Sequence, residues 1–169
     1  TTTSSIPALS TFPNIEKVTI RIGLESVIEN LNLLGSTPSL KSLSLQIQHT
    51  PFNLSGKKPG QLKSLKGLDA PNLISLNAST GLLDVSGIER CTKLEELILS
   101  SNQELESLTP VSKIAPSLVT VELSNSPAIA GLEPLRKATN LELLSINFLE
   151  RITNLSPLKN CAKLKYFEF

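Results

Sequence analysis

Few residues in this chain have the types and spacing that catalysis or metal binding requires. His49 is the only histidine, so a Ser-His-Asp or Cys-His arrangement would have to assemble around it. Cys91 and Cys161 are distant in sequence, no His/Cys cluster has metal-site spacing, and no glycine-rich phosphate loop precedes a helix. Paired acids such as Glu95 and Glu96 are more simply explained as solvated surface charges than as a catalytic pair. The sequence therefore predicts no catalytic, cofactor-binding or metal site and no small-molecule substrate.

Composition and charge also argue against two classes of partner. The net charge is +1, which is unlike a chain that binds the phosphate backbone of a nucleic acid. No apolar run approaches the roughly 20 residues that span a bilayer, and no apolar signal segment opens the chain. We therefore expect neither nucleic-acid binding nor a membrane span.

The pattern that determines where the side chains of this chain lie is an L-x-x-L-x-L frame, which occurs seven times. Its first positions are separated by 25, 33, 21, 24, 23 and 23 residues, and they are Ile15, Leu40, Leu73, Leu94, Leu118, Leu141 and Leu164. A period in this range indicates a solenoid, and apolar residues at the fourth and sixth positions indicate a strand. Strands are predicted near residues 17–21, 42–46, 75–79, 96–100, 120–124, 143–147 and 166–169.

The connections between frames carry a second pattern, a proline-containing turn. It reads Leu108-Thr-Pro-Val111, Leu132-Glu-Pro-Leu135 and Leu155-Ser-Pro-Leu158, with a proline-free variant at Val85-Ser-Gly-Ile88. Proline presets the first turn of a short helix. With these turns and frames the chain resembles the leucine-rich repeat family from about Ala8 to Phe169. It is most similar to the short-repeat class of bacterial internalins and eukaryotic phosphatase-regulatory proteins.

The resemblance implies an α/β solenoid of about seven repeats. Its parallel β-sheet would be concave, with short 3₁₀ or α turns on the convex side, and it would serve protein binding. The asparagine that usually follows the strand is present only as Asn102.

Two connections depart from the short-repeat pattern. Residues 24–34 have apolar side chains at 24, 27, 28, 31 and 34 before Gly35, which predicts an amphipathic helix packed on the solenoid. The next connection is about ten residues longer than the others around Pro51–Gly60, and it contains Lys57 and Lys58. An insertion of this kind is expected to form a surface loop, either a solvated turn or a contact for an acidic partner.

Strand alternation also predicts a binding face, because the third, fifth and seventh frame positions point away from the core. Residues 1–68 carry a balance of +4 and residues 69–169 a balance of −3, so the charge is segregated and can orient a partner. The candidate partner-binding residues are Glu96, Ile98, Glu122, Leu143, Ser145, Asn147, Tyr166 and Glu168, with Phe148 beside them and Lys57 and Lys58 in the loop. The competing interpretation is that the apolar members only pack on their neighbours.

The two cysteines occupy the same place in their frames, three residues before the strand leucine. Ala115 and Ala138 hold that place in the intervening frames, which predicts a small buried slot. Three strand spacings separate the cysteines by roughly 14 Å, too far for a disulfide. Free thiols favour an intracellular location, cytoplasmic or nuclear. The sequons at Asn53 and Asn77, and a weaker one at Asn154, keep a secreted or surface-exposed location as the alternative.

The expected organisation is a disordered lead-in over residues 1–7 and a leucine-rich repeat domain over residues 8–169. The lack of methionine and the end at Phe169, inside the seventh frame, suggest a segment of a longer protein, with the parent chain or a second copy at the uncapped C-terminal end. The leading hypothesis is a non-enzymatic protein-protein interaction module that uses its concave face. The alternatives are a substrate-recognition or autoinhibitory segment of a larger enzyme or bacterial effector, and an extracellular adhesion or immune-recognition ectodomain.

Overall fold

A computed structural model describes residues 9–23, 25–47 and 60–169. These residues form nine β-strands, with short 3₁₀ helices between them and no α-helix in the described ranges. The strands are β1 (Lys17–Ile22), β2 (Val27–Ile28), β3 (Ser42–Ile47), β4 (Gln61–Leu62), β5 (Ser75–Ser79), β6 (Glu96–Ser100), β7 (Thr120–Ser124), β8 (Leu143–Asn147) and β9 (Tyr166–Glu168). The 3₁₀ helices are Leu9–Thr11, Asn32–Leu34, Ile88–Arg90, Thr109–Lys113, Ala115–Ser117, Glu133–Leu135 and Ser156–Asn160.

Seven of the strands form one parallel sheet, in the order β1-β3-β5-β6-β7-β8-β9. Each pairs with the next so that equivalent frame positions lie side by side; Glu96 is opposite Thr120, for example, and Thr120 is opposite Leu143. The predicted parallel sheet with short 3₁₀ turns is therefore confirmed. Strands β2 and β4 form a separate parallel pair among the connections.

Side-chain alternation places the core on one side of the large sheet. In β5, β6, β7 and β8 the fourth and sixth frame positions are buried, while the positions between them are partly exposed. Leucines of the connections, such as Leu82, Leu105 and Leu132, complete the core from the other side. Burying one such side chain contributes about 1.5–3 kcal/mol. The core is therefore stabilised by many aliphatic side chains, stacked frame by frame, and not by a few large aromatic rings.

The proline turns form the 3₁₀ helices that the sequence predicts. Pro110, Pro134 and Pro157 are each the second residue of a 3₁₀ helix, namely Thr109–Lys113, Glu133–Leu135 and Ser156–Asn160, where a missing N–H costs little. The proline-free variant starts its 3₁₀ helix later, at Ile88, after Gly87 with φ of 108°. A Cβ atom on Gly87 would lie 2.3 Å from the carbonyl oxygen of Leu65, so glycine also permits close backbone contact between connections.

The amphipathic helix predicted over residues 24–34 is wrong. Residues 27–28 form β2, which pairs with β4, and only Asn32–Leu34 is helical, as a single 3₁₀ turn. The backbone N–H groups of Gln61 and Lys63 bond to the carbonyls of Ser26 and Ile28, so this segment is extended and bonded to the next connection. Leu31 and Leu34 are buried three residues apart, which is the period of a 3₁₀ turn, whereas Val27 is exposed.

Asn102 bonds the turning backbone after β6, in the role the frame gives to this position. Its side-chain amide donates to the carbonyl of Ala78 at 3.1 Å and its Oδ1 accepts from the N–H of Leu82 at 2.8 Å. The equivalent residue in the next frame, Ser126, accepts from the N–H of Asn102 at 3.2 Å and donates to the carbonyl of Ser124. These bonds connect three successive frames through one buried polar row.

No helix in the described ranges is both long and apolar enough to cross a bilayer.

Candidate functional site

The side of the large sheet opposite the core is the candidate site, and we call it the open face. It carries the third, fifth and seventh frame positions, which are partly or fully exposed in every strand. In register they form three rows that run across the sheet: Lys17, Ser42, Ser75, Glu96, Thr120, Leu143 and Tyr166; Thr19, Ser44, Asn77, Ile98, Glu122, Ser145 and Glu168; and Arg21, Gln46, Ser79, Ser100, Ser124 and Asn147.

The structure brings together the predicted residues of the sheet. Glu96 and Ile98 lie on β6, Glu122 on β7, Leu143, Ser145 and Asn147 on β8, and Tyr166 and Glu168 on β9. Lys57 and Lys58 are outside the described residues, as are His49 and Asn53.

Charge on the open face is divided between its two ends. Lys17 and Arg21 form the basic end on β1, while Glu96, Glu122 and Glu168 form the acidic end across β6 to β9. Between the ends, β3 and β5 present only serine, asparagine and glutamine side chains on this face, and Gln46 donates to the hydroxyl of Ser44 at 3.0 Å.

The three glutamates of the acidic end differ in their hydrogen bonds. Glu96 accepts from the hydroxyl of Ser75. Glu168 accepts from the hydroxyl of Ser145 at 2.8 Å and from the amide of Asn147 at 3.3 Å, and these bonds lower the pKa of its carboxyl. Glu122 has no hydrogen-bond or ion-pair partner in the described part of the chain.

Ion pairs of the described residues lie away from the open face. Each joins residues of the connections or of the position just before a strand: Lys41 with Glu16, Lys63 with Glu29, Arg90 with Asp69, Arg136 with Glu133, and Lys165 with Glu142. The acidic end is thus not neutralised by basic side chains of the chain's own described residues.

Apolar side chains accompany the acidic end. Ile98 and Leu143 are half-buried within the sheet, whereas 51% of Tyr166 and 80% of Phe148 is exposed. Phe148 follows β8 directly and has φ of 58°, in the left-handed region. Ser101 and Asn125 hold the equivalent places after β6 and β7 with φ of 58° and 49°.

Phe148 is therefore unusual in both residue type and exposure. Asparagine and small polar residues tolerate the left-handed region, but a bulky aromatic residue there is strained. The frame pattern marks buried positions and not backbone strain, so it does not single out Phe148. The available signal was its alignment with Ser101 and Asn125.

The last strand exposes residues that are buried in the other strands. Phe167 and Phe169 occupy the fourth and sixth frame positions, yet they are 41% and 69% exposed. Their rings stack with centroids 6.3 Å apart. Strand β9 is an edge strand of the sheet, and Phe167 is in register with the buried Leu144, so its ring lies on the core side and not on the open face.

The two cysteines, which are the reactive groups of the described ranges, lie apart from each other and from the open face. Cys91 and Cys161 are free and buried, as predicted, and Ala115 and Ala138 are buried in the intervening slots. Burial, with smaller effects of Glu89 and Asp69, raises the pKa of the Cys91 thiol to about 12, and burial also raises the pKa of Cys161. Burial thus disfavours the thiolate, which is the nucleophilic form, in both cysteines.

The described residues contain no group of three or more metal-ligating side chains. An open depression of about 720 Å³ lies among the connections near Asp69, Asp84 and Arg90. Asp84 there accepts from Ser64 and Ser86; burial opposes ionisation, but these bonds prevail and lower its pKa. Its carboxylate is already satisfied by the protein.

No protein-family model matches the sequence.

Proposed function

We propose that this chain is a leucine-rich repeat solenoid that binds another protein on its open face, which would be the concave side, without catalysing a reaction. The observation that carries the proposal is the acidic end itself. Its carboxylates have no basic partner among the described residues, and exposed aromatic side chains lie beside them. Aromatic residues are enriched at protein interfaces, where tyrosine is among the residues that dominate the binding energy, and complementary charges orient the partner.

Phe148 supports the same proposal from its backbone. An exposed aromatic side chain in the left-handed region lowers stability and gains little from burial in this chain. Such strain is typical of positions kept for contacts outside the fold. We therefore assign Phe148 to the binding surface together with Tyr166.

The proposal is tested by affinity capture from a matched lysate. The binding variant combines Glu96→Lys, Glu122→Lys and Tyr166→Ala. A control variant combines Glu104→Lys, Glu106→Lys and Leu155→Ala, which change exposed residues of the connections in the same way. Circular dichroism must first show that all three proteins fold alike.

We expect one protein to be captured by the wild type and the control but lost from the binding variant. Equal capture by all three would move the site to the lysine loop or to the connections, and the assignment to the open face would be wrong.

We also propose a reducing, intracellular location, because both thiols are free and buried. The intact mass of the native protein tests this. Two thiols that react only after denaturation, with no added glycan mass, are expected. A glycan on Asn77 would sit in the middle row of the open face, and finding one would support the extracellular alternative instead.

A further inference from the structure

We propose that the partner binds the acidic end as an extended segment carrying two basic residues three positions apart. This inference rests on the proposed function and adds the chemistry of the bound segment. Its starting point is charge: Glu96, Glu122 and Glu168 lack basic partners among the described residues, while carboxylates such as Glu16, Glu133 and Glu142 are paired. Any cation that pairs with these three carboxylates comes from outside the described residues.

The spacing of the glutamates sets the spacing of those cations. Glu122 is opposite Ser145, and Ser145 is opposite Glu168, so two strand spacings separate the two glutamates. Two spacings of about 4.8 Å place their Cα atoms roughly 9.6 Å apart. A polyproline II segment rises about 3.1 Å per residue with three residues per turn, so residues three apart point the same way and lie about 9 Å apart. Basic residues at that interval match Glu122 and Glu168.

The residues between the two basic positions have apolar neighbours on both sides. Leu143 and Tyr166 lie two residues before the row of Glu122 and Glu168, and Phe148 lies beyond its other side. In a polyproline II segment successive side chains are a third of a turn apart, so the two intervening ones project to the left and right of the basic pair. We expect at least one of them to be apolar.

The basic end of the open face orients the segment. Lys17 and Arg21 on β1 are four strand spacings from Glu122, or roughly 19 Å, which is about six residues of a polyproline II segment. They repel a cation and attract an acidic residue at that distance. The two ends of the bound segment thus carry opposite charges: its basic pair lies over β7 to β9 and its acidic residue over β1.

The test is selection of random 12-residue displayed peptides on the immobilised protein. The wild type is compared with the double variant Glu122→Gln and Glu168→Gln, and with a control double variant, Glu104→Gln and Glu150→Gln, on exposed connections. Glutamine keeps the size of each side chain and removes only its charge. A third variant, Asn77→Arg, blocks the middle row of the open face.

We expect selected peptides to carry lysine or arginine pairs three residues apart. Removing both glutamates should weaken their binding roughly tenfold or more, and raising the salt concentration should weaken it too. The control double variant should bind them like the wild type.

Two other outcomes separate this inference from the proposed function. One outcome is that the selected peptides no longer bind the Asn77→Arg variant but carry no paired basic residues. The open face would then remain the binding site, and the inference of a basic segment would be overturned. Peptides that bind equally to Asn77→Arg and to both double variants would overturn the inference and contradict the proposed function.

Discussion

Replacing Phe148 with asparagine should leave the protein equally stable or slightly more stable while weakening its binding to a partner. An L-residue in the left-handed region costs about 1–2 kcal/mol, and asparagine tolerates this region better than other non-glycine residues. Only about a fifth of the phenylalanine side chain is buried, which corresponds to roughly 40 Å² of apolar surface and about 1 kcal/mol. The two effects leave the free energy of unfolding unchanged or raised by up to about 1 kcal/mol.

The assay is urea unfolding followed by circular dichroism, combined with a thermal scan. In a chain of this size 1 kcal/mol corresponds to roughly 2–4 °C in Tm. The reverse change provides a matched control: Asn125→Phe places an aromatic residue in the same conformation after β7, and it should lower the free energy of unfolding by about 1–2 kcal/mol.

A loss of more than about 1 kcal/mol in Phe148→Asn would refute the reasoning, since it would mean that the aromatic ring stabilises the fold. Unchanged stability with unchanged partner capture would remove Phe148 from the binding surface.

Four further changes test the fold around the site. Gly87→Ala should lower the free energy of unfolding by roughly 2–4 kcal/mol, because the added Cβ meets the carbonyl of Leu65 and φ is 108°; Gly131→Ala, with open space around it, should be neutral or slightly stabilising in the same urea experiment. Asn102→Ala should cost about 2–4 kcal/mol, since the buried Leu82 N–H and Ala78 carbonyl lose their partner, and a loss below about 1 kcal/mol would contradict the role of Asn102. Thr80→Val should instead raise stability by about 1 kcal/mol, because the buried Thr80 hydroxyl has no hydrogen-bond partner in the described structure; destabilisation would reveal an unrecognised partner. Above pH 9.0 the Cys91 thiol should lower the free energy of unfolding by up to about 1.4 kcal/mol per pH unit, because it ionises at 9.0 when unfolded but only near 12 when folded. Cys91→Ala should reduce this slope and leave the contribution of Cys161, whose pKa is also raised; an unchanged slope would exclude Cys91 as a cause.

The parallel sheet was predictable because its signal recurs in every frame. Alternation at the fourth and sixth positions determines which side chains are buried, and that pattern survives changes in residue type, such as Ala78 in β5 or Val121 in β7. The proline turns were equally clear, since proline at the start of a 3₁₀ helix acts through local backbone geometry.

The first connection was mispredicted because five apolar positions over eleven residues fit a helix better than a strand followed by one turn. Its conformation depends on hydrogen bonds to Gln61 and Lys63, which lie more than 30 residues away in the sequence. Local periodicity carries no information about such a partner. The same limit applies to Phe148, whose strain comes from the turn and not from its neighbours in sequence.

For the candidate site, sequence reasoning placed the residues of the sheet on one face but not their hydrogen bonds. The bonds from Ser145 and Asn147 to Glu168, and the lack of any for Glu122 among the described residues, depend on side-chain conformation across strands. These contacts distinguish a carboxylate that neutral side chains orient, and that still lacks a basic partner among the described residues, from one with no hydrogen bond there.

Site-specific photo-crosslinking tests the central claim most directly. A photoreactive residue replaces Asn77 in the middle row of the open face, and in a second protein it replaces Lys113 on an exposed connection. The account predicts that one partner protein is crosslinked from position 77, is lost when Glu122→Lys and Glu168→Lys are added, and is absent from position 113. Crosslinking of the same partner from position 113 alone would show that binding occurs on the connections and would contradict the account.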